Sequence, residues 1–283
     1  EATFTSILAL HHVEAHVATK PAWVKDKDER LASKVREMLQ DVWPTAKNSS
    51  LLDTWKMRDE KMREIGPACM VVSLQALEEL GRIPRSDENR AISLSEAAAL
   101  AKKTGKRFFL EMFSHRWCSK ENPDDAFHNK AAALIQWARY RLANGLCSFF
   151  WIDYSCIDQE NVSPGVAMLP LYVASCNNVL CYEQLGYEHR AWCRIERVLF
   201  AAFCAPTQDI IGMGYTYSGN PKEEPITDTM PALTNPAEGS LSYTGDMVLI
   251  KAVTDIASEP WGRCWESGRE SDRERVVVSA EAV

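Results

Sequence analysis

Arg107-Phe108-Phe109-Leu110-Glu111-Met112-Phe113 is an apolar run of strand length, interrupted by one acid, at the point where the chain changes its period. Three more runs of that kind follow, at residues 147–152 (CSFFWI), 178–182 (NVLCY) and 209–213 (DIIGM). Helical patterns fill the gaps. Residues 126–142 follow Pro123-Asp124-Asp125 and end at Asn144-Gly145, and shorter helices are predicted over 166–175 and 189–203. Strands that are apolar throughout, alternating with helices, predict an α/β fold with a parallel sheet covered on both faces. Ligands of such sheets bind beyond the carboxyl ends of the strands, which directs attention to residues 114–117, 153–155 and 183–184.

Outward from this core, residues 1–104 read as a helical N-terminal extension. One stripe is Leu31, Val35, Met38 and Leu39; a second, Val71, Leu74, Leu77 and Leu80, stops at Gly81. A polar connector over 83–90 leads to a short helix over 95–103. Residues 105–213 form the α/β domain. Residues 214–283 form a C-terminal extension, a long loop with Pro221, Pro225, Pro231 and Pro236, then a helix over 245–257 and a charged tail from 268.

Composition narrows the function. The net charge is −7, and residues 221–283 hold twelve acidic against six basic residues, so the basic face that nucleic-acid binding requires is absent from the pattern. No apolar run approaches the length of a membrane span, and no signal peptide is visible at the start. Nine cysteines without paired spacing suggest reduced thiols and a cytoplasmic location. His12, Glu14 and His16 are not in zinc-protease order, Cys176 and Cys181 bracket a strand, and neither a phosphate-binding glycine loop nor a nucleophile elbow occurs, so no metal and no bound cofactor are expected.

Glu196 is the most informative residue. Its helical neighbours at three and four positions are Trp192, Cys193, Leu199 and Phe200, and a carboxylate on such a face must be paired, protonated or set in a cleft. An ion pair to Arg116 or Arg190 is the structural explanation; a catalytic acid is the functional one. Ser114, Arg116 and Trp117 end the first strand of the core. The Arg116 guanidinium suits phosphates and Trp117 suits a base, while a surface arginine over a packed indole accounts for them equally well. Asp153 ends the next strand, where it could bind ligand or cap the following loop.

Ala191-Trp192-Cys193-Arg194-Ile195-Glu196 resembles the Trp-Cys-x-x-Glu signature of TIR domains. Phe113-Ser114-His115-Arg116-Trp117 is similar to the end of their first strand, and Trp151-Ile152-Asp153, with the loop to Gly165, to their second. The run from Trp151 through Tyr154 to Gln159 also resembles fungal heterokaryon-incompatibility (HET) domains. The resemblance is confined to the middle of the chain, and the insertion over 118–125 and the bulky His115 and Trp117 depart from it. It implies a flavodoxin-like parallel sheet and an NAD glycohydrolase with Glu196 as the catalytic carboxylate. It further implies substrate contacts from Ser114, His115, Arg116, Trp117, Asp153, Tyr154 and Trp192, NAD as substrate, and homo-oligomerisation. A non-enzymatic TIR- or HET-like self-association module and a nucleoside glycosyl transferase are the alternatives.

Overall fold

A computed structural model describes residues 51–119, 121–204, 214–217, 233–241 and 246–261, together with the isolated helical positions 33, 34 and 37. The first helical stripe, His12, Glu14 and His16, the strand expected over 209–213 and the charged tail lie outside the described residues.

The helix α1 (Leu51–Ile65) leads into a strand, β1 (Met70–Ser73), and α2 (Leu74–Leu80). After a polar turn come the two-residue β2 (Ile92–Ser93) and α3 (Leu94–Thr104). The core follows as β3 (Arg107–His115), α4 (Asn129–Ala143), β4 (Leu146–Trp151), the short helices α5 (Asp153–Cys156), α6 (Val162–Ala167) and α7 (Leu169–Ser175), and β5 (Asn178–Tyr182). It closes with α8 (Ala191–Cys204), β6 (Gly214–Tyr217) and α9 (Asp246–Trp261).

The sheet is mixed and open, ordered β2-β1-β4-β3-β5-β6. Within it β4, β3, β5 and β6 are mutually parallel, whereas β1 runs antiparallel to β4, with Val72 opposite Phe150. The first hundred residues are therefore not purely helical and the sheet is not purely parallel. Val71, counted into a helical stripe, belongs to a strand, and the helix begins only where Ser73 caps it by accepting from the Ala76 amide (3.2 Å). β6 occupies residues expected to begin a loop. The helix expected over 166–175 is two helices that meet at Met168, because Pro170 opens the second and has no amide to continue the first.

Side chains alternate along β3 and so face two helical layers. Glu111 accepts from Trp137 of α4 (2.7 Å), while Ser114 donates to Glu196 of α8 (2.6 Å). Helices thus cover both faces. Their sides follow from handedness: β3 to β4 and β5 to β6 advance in opposite directions across the sheet, and right-handed crossovers place α4 and α8 on opposite faces. Asp124 starts α4 by accepting from the amides of Lys130 (3.0 Å) and Ala131 (2.9 Å). Among the described residues no helix is long and apolar enough to cross a membrane.

The segment over 233–241 is strapped to the start of α8. The Ser240 amide donates to His189 O (2.6 Å), and the Ala191 amide donates to Ser240 O (3.0 Å). A Cβ on Gly239 would stand 2.5 Å from the backbone N and Cα of Ala191, too close for either to remain in place. Gly239→Ala is expected to lower stability by about 1–3 kcal/mol, as overpacking does, and urea unfolding checks it. An unchanged midpoint would show the strap to be loosely held.

Candidate functional site

β3 runs two residues further than its apolar run predicts, and that extension builds the site. Ser114 and His115 pair with Cys181 and Tyr182 of β5, so both are buried strand residues rather than loop. Being adjacent, they project to opposite faces.

On the α8 face, Ser114 is 0 % exposed and Glu196 is 7 % exposed. Ser114 Oγ donates to Glu196 Oε2 (2.6 Å) and lies 2.7 Å from the phenol oxygen of Tyr187. Burial raises the Glu196 carboxyl well above the ordinary carboxylate range, and the charge of Asp153 adds to this; the Ser114 hydrogen bond and Arg197 act in the opposite sense. Of the arginines weighed as its ion-pair partner, Arg116 turns to the Leu185 carbonyl and packs against Gly186. Arg197, the next residue of α8, makes a two-pronged pair with Glu188 (2.6 and 2.7 Å).

On the α4 face, Trp117 Nε1 donates to Asp153 Oδ2 (2.8 Å), and the Trp117 ring meets Tyr154 edge-on at 5.3 Å. His115 Nε2 stands 3.9 Å from Asp153 Oδ1, beyond hydrogen-bond reach. The buried amino group of Lys130 donates to the carbonyls of Arg116 and Pro123, and so ties the loop after β3 to α4. Desolvation and the neighbouring Lys130 push His115 down to about 3, which leaves it a neutral imidazole at neutral pH. Although 33 % of the Asp153 side chain stays exposed, desolvation pushes its carboxyl up to about 6, against the Trp117 and Tyr154 hydrogen bonds.

A folded-state value above the ordinary 3.8 makes Asp153 stabilising at low pH, and this contribution fades as pH rises through about 6. Asp153→Asn is therefore expected to lose less melting temperature than the wild type between pH 5 and pH 7. Equal slopes in thermal scans across that range would refute it.

The structure brings Ser114 and Glu196 into contact, and His115, Trp117, Asp153 and Tyr154 into a second group. Trp192 is drawn elsewhere, its Nε1 donating to Asp246 of α9 (3.2 Å). Two participants were not read from the sequence. Tyr187 lies in a turn after Gly186, with no periodicity to mark it. Lys130 carried a usable signal: it shares a helical stripe with Leu134 and Trp137, the same anomaly that marks Glu196. Beside Tyr154 opens a cleft of about 170 Å³, lined also by Arg82, Ile83, Glu121, Asn122, Asp124 and His128.

Of the seven cysteines with described side chains, all are free thiols; Cys118 is exposed and Cys147 half-buried, while the other five are buried. The Ser114–Glu196 pair can stabilise an adjacent positive charge or exchange a proton. The second group offers a carboxylate beside an aromatic pair. No family model, no curated protein and no solved structure matches the chain.

Proposed function

We propose that the chain is an NAD glycohydrolase of the TIR type in which Glu196 is the catalytic carboxylate. The observation that carries this reading is the buried Glu196 held by the Ser114 hydroxyl (2.6 Å) at the carboxyl end of β3. The order β4-β3-β5-β6 supports the flavodoxin-like reading, since the first parallel strand stands second, flanked by the next two. The crevice of such sheets opens where the order reverses, here between β3 and β5, the strands that carry Ser114 and Cys181.

The bond between nicotinamide and ribose breaks with a leaving group that needs no proton, so one anionic group beside the sugar suffices. A buried carboxylate lowers the barrier by facing the positive charge as it moves from the ring onto the ribose, where little water competes. The cationic nicotinamide ring also favours the ionised form of Glu196 once bound. In this reading Ser114 orients Glu196, Asp153 accepts from ribose hydroxyls, Trp117 and Tyr154 flank a ring, and Arg116 faces phosphates. His115, neutral and wholly enclosed, shapes the strand end, and Trp192 anchors α8 to α9. No metal or bound cofactor enters the step.

A second reading, self-association without catalysis, is favoured by Leu185 and Phe127, which are 94 % and 85 % exposed on loops beside the strand ends. Incubating the purified protein with NAD, NADP and nucleosides separates the readings. Nicotinamide released with ADP-ribose or its cyclic form supports the hydrolase. Base exchange on a nucleoside supports a glycosyl transferase. Intact substrates with concentration-dependent assembly support the scaffold.

A further inference from the structure

We propose that Tyr187 is a positioning residue of this site: its phenol hydroxyl fixes the direction of the Ser114 hydroxyl, so that Ser114 donates to Glu196 and favours its carboxylate form. The inference rests on the reading of Glu196 as the working acid.

Three oxygens form a chain, with Tyr187 OH 2.7 Å from Ser114 Oγ and Ser114 Oγ 2.6 Å from Glu196 Oε2. Each hydroxyl has one proton, so the chain can run toward Glu196 or away from it. Running away, Glu196 is protonated and donates to Ser114, Ser114 donates to Tyr187, and the phenol proton needs another acceptor. Tyr187 is 1 % exposed, and the guanidinium of Arg197 over its ring (5.3 Å) only donates. The Cys181 thiol that hydrogen-bonds it offers a weakly accepting sulfur. Running toward Glu196, every donor meets an oxygen and the chain ends on the anion, where successive hydrogen bonds reinforce one another.

The phenol itself is held in its protonated form, because burial lifts it well above the ordinary range. At neutral pH it is therefore available as a donor. Other groups facing Glu196 act without this direction. Asp153, at the start of α5, opposes its charge, Arg197 favours it, and the Cys193 and Cys181 thiols are themselves held protonated partly by it.

Infrared difference spectra of the full chain against Glu196→Gln isolate the carbonyl band of protonated Glu196, and its disappearance with rising pH gives a titration midpoint. Tyr187→Phe is expected to move that midpoint to higher pH, and Ser114→Ala to move it further. An ortho-fluorinated tyrosine at position 187, a stronger donor of the same shape, is expected to move it lower. At neutral pH Tyr187→Phe should reduce NAD turnover about two- to tenfold, in kcat rather than KM, as loss of one neutral hydrogen bond does. A folded Tyr187→Phe protein with the wild-type midpoint overturns the proposal. Should that variant fail to fold, a fluorinated protein with an unmoved or raised midpoint overturns it instead. Midpoints that move as expected while no variant consumes NAD sustain the role of Tyr187 and defeat the hydrolase reading. NAD cleavage with unmoved midpoints does the reverse.

Discussion

Glu196→Gln is expected to give a well-folded protein that cleaves NAD about 10²- to 10³-fold more slowly, the usual loss when one preorganised electrostatic contact is removed from a transition state. The amide keeps the shape and can still accept from Ser114, whose hydroxyl lies 2.6 Å away, so packing is preserved. Only the charge is lost. Stability should change in the opposite direction to activity. A carboxyl raised above its ordinary 4.5 stabilises the fold at low pH, and that contribution disappears as pH climbs through the raised value. An amide has no such dependence. The mutant should therefore melt at or above the wild-type temperature at neutral pH, with the gap widening toward alkaline pH. Melting curves at several pH values and turnover, taken on the same preparations, test both halves. Wild-type turnover from a folded mutant would remove Glu196 from the chemistry, and a melting point several degrees lower would mark it as structural.

Glu111→Ala should do the reverse and damage the fold rather than the chemistry. Glu111 is 0 % exposed on the other face of β3, where it accepts from Trp137 Nε1 (2.7 Å), Ser148 Oγ (2.6 Å) and Asn178 Nδ2 (3.0 Å). Arg141 Nε approaches within 3.6 Å. Alanine takes a shared acceptor from three donors and a carboxylate from beside a cation at once. Removing one partner of a buried charged network typically costs about 3–5 kcal/mol, a fall in melting temperature on the order of 10 °C for a chain of this size. Glu111→Gln, which keeps one acceptor, should lie between. A drop under a few degrees for the alanine variant would mean that water replaces the carboxylate. Both glutamates are buried, yet one is ringed by donors from α4, β4 and β5, and the other meets one hydroxyl among the described residues. That difference separates a structural buried acid from a candidate catalytic one.

Much of the sheet was legible because β3, β4 and β5 carry short, nearly continuous apolar runs, the pattern of strands covered on both faces. β1 was not legible. Met70-Val71-Val72-Ser73 enters α2 without a turn, so Val71 falls into helical step with Leu74 and Leu77, and nothing local separates the two periods. The last residues of β3 were hidden for another reason: Ser114 and His115 are polar and resemble a loop, and only pairing with β5 makes them strand. The site shows the same division. Glu196 announces itself by its neighbours on one helix, and Lys130 would have done so by the same test. The Ser114–Tyr187 contact joins residues on two elements whose approach is set by the whole sheet, and no spacing along the chain encodes it.

β1 leaves the ribosome well before β4, the strand beside which it must lie, with Val72 opposite Phe150 and Ser73 opposite Phe149. Until β3 and α4 have also been made, its neighbour in the sheet is the two-residue β2, and Val71 and Val72, both fully buried in the finished protein, lack the layer that covers them. Distant pairings of this kind slow the search for the native state, because the chain must close a long loop before any contact rewards it. β1 is thus open to wrong partners during synthesis, and refolding from urea should be limited by the docking of β1 rather than by the assembly of β3 with β4.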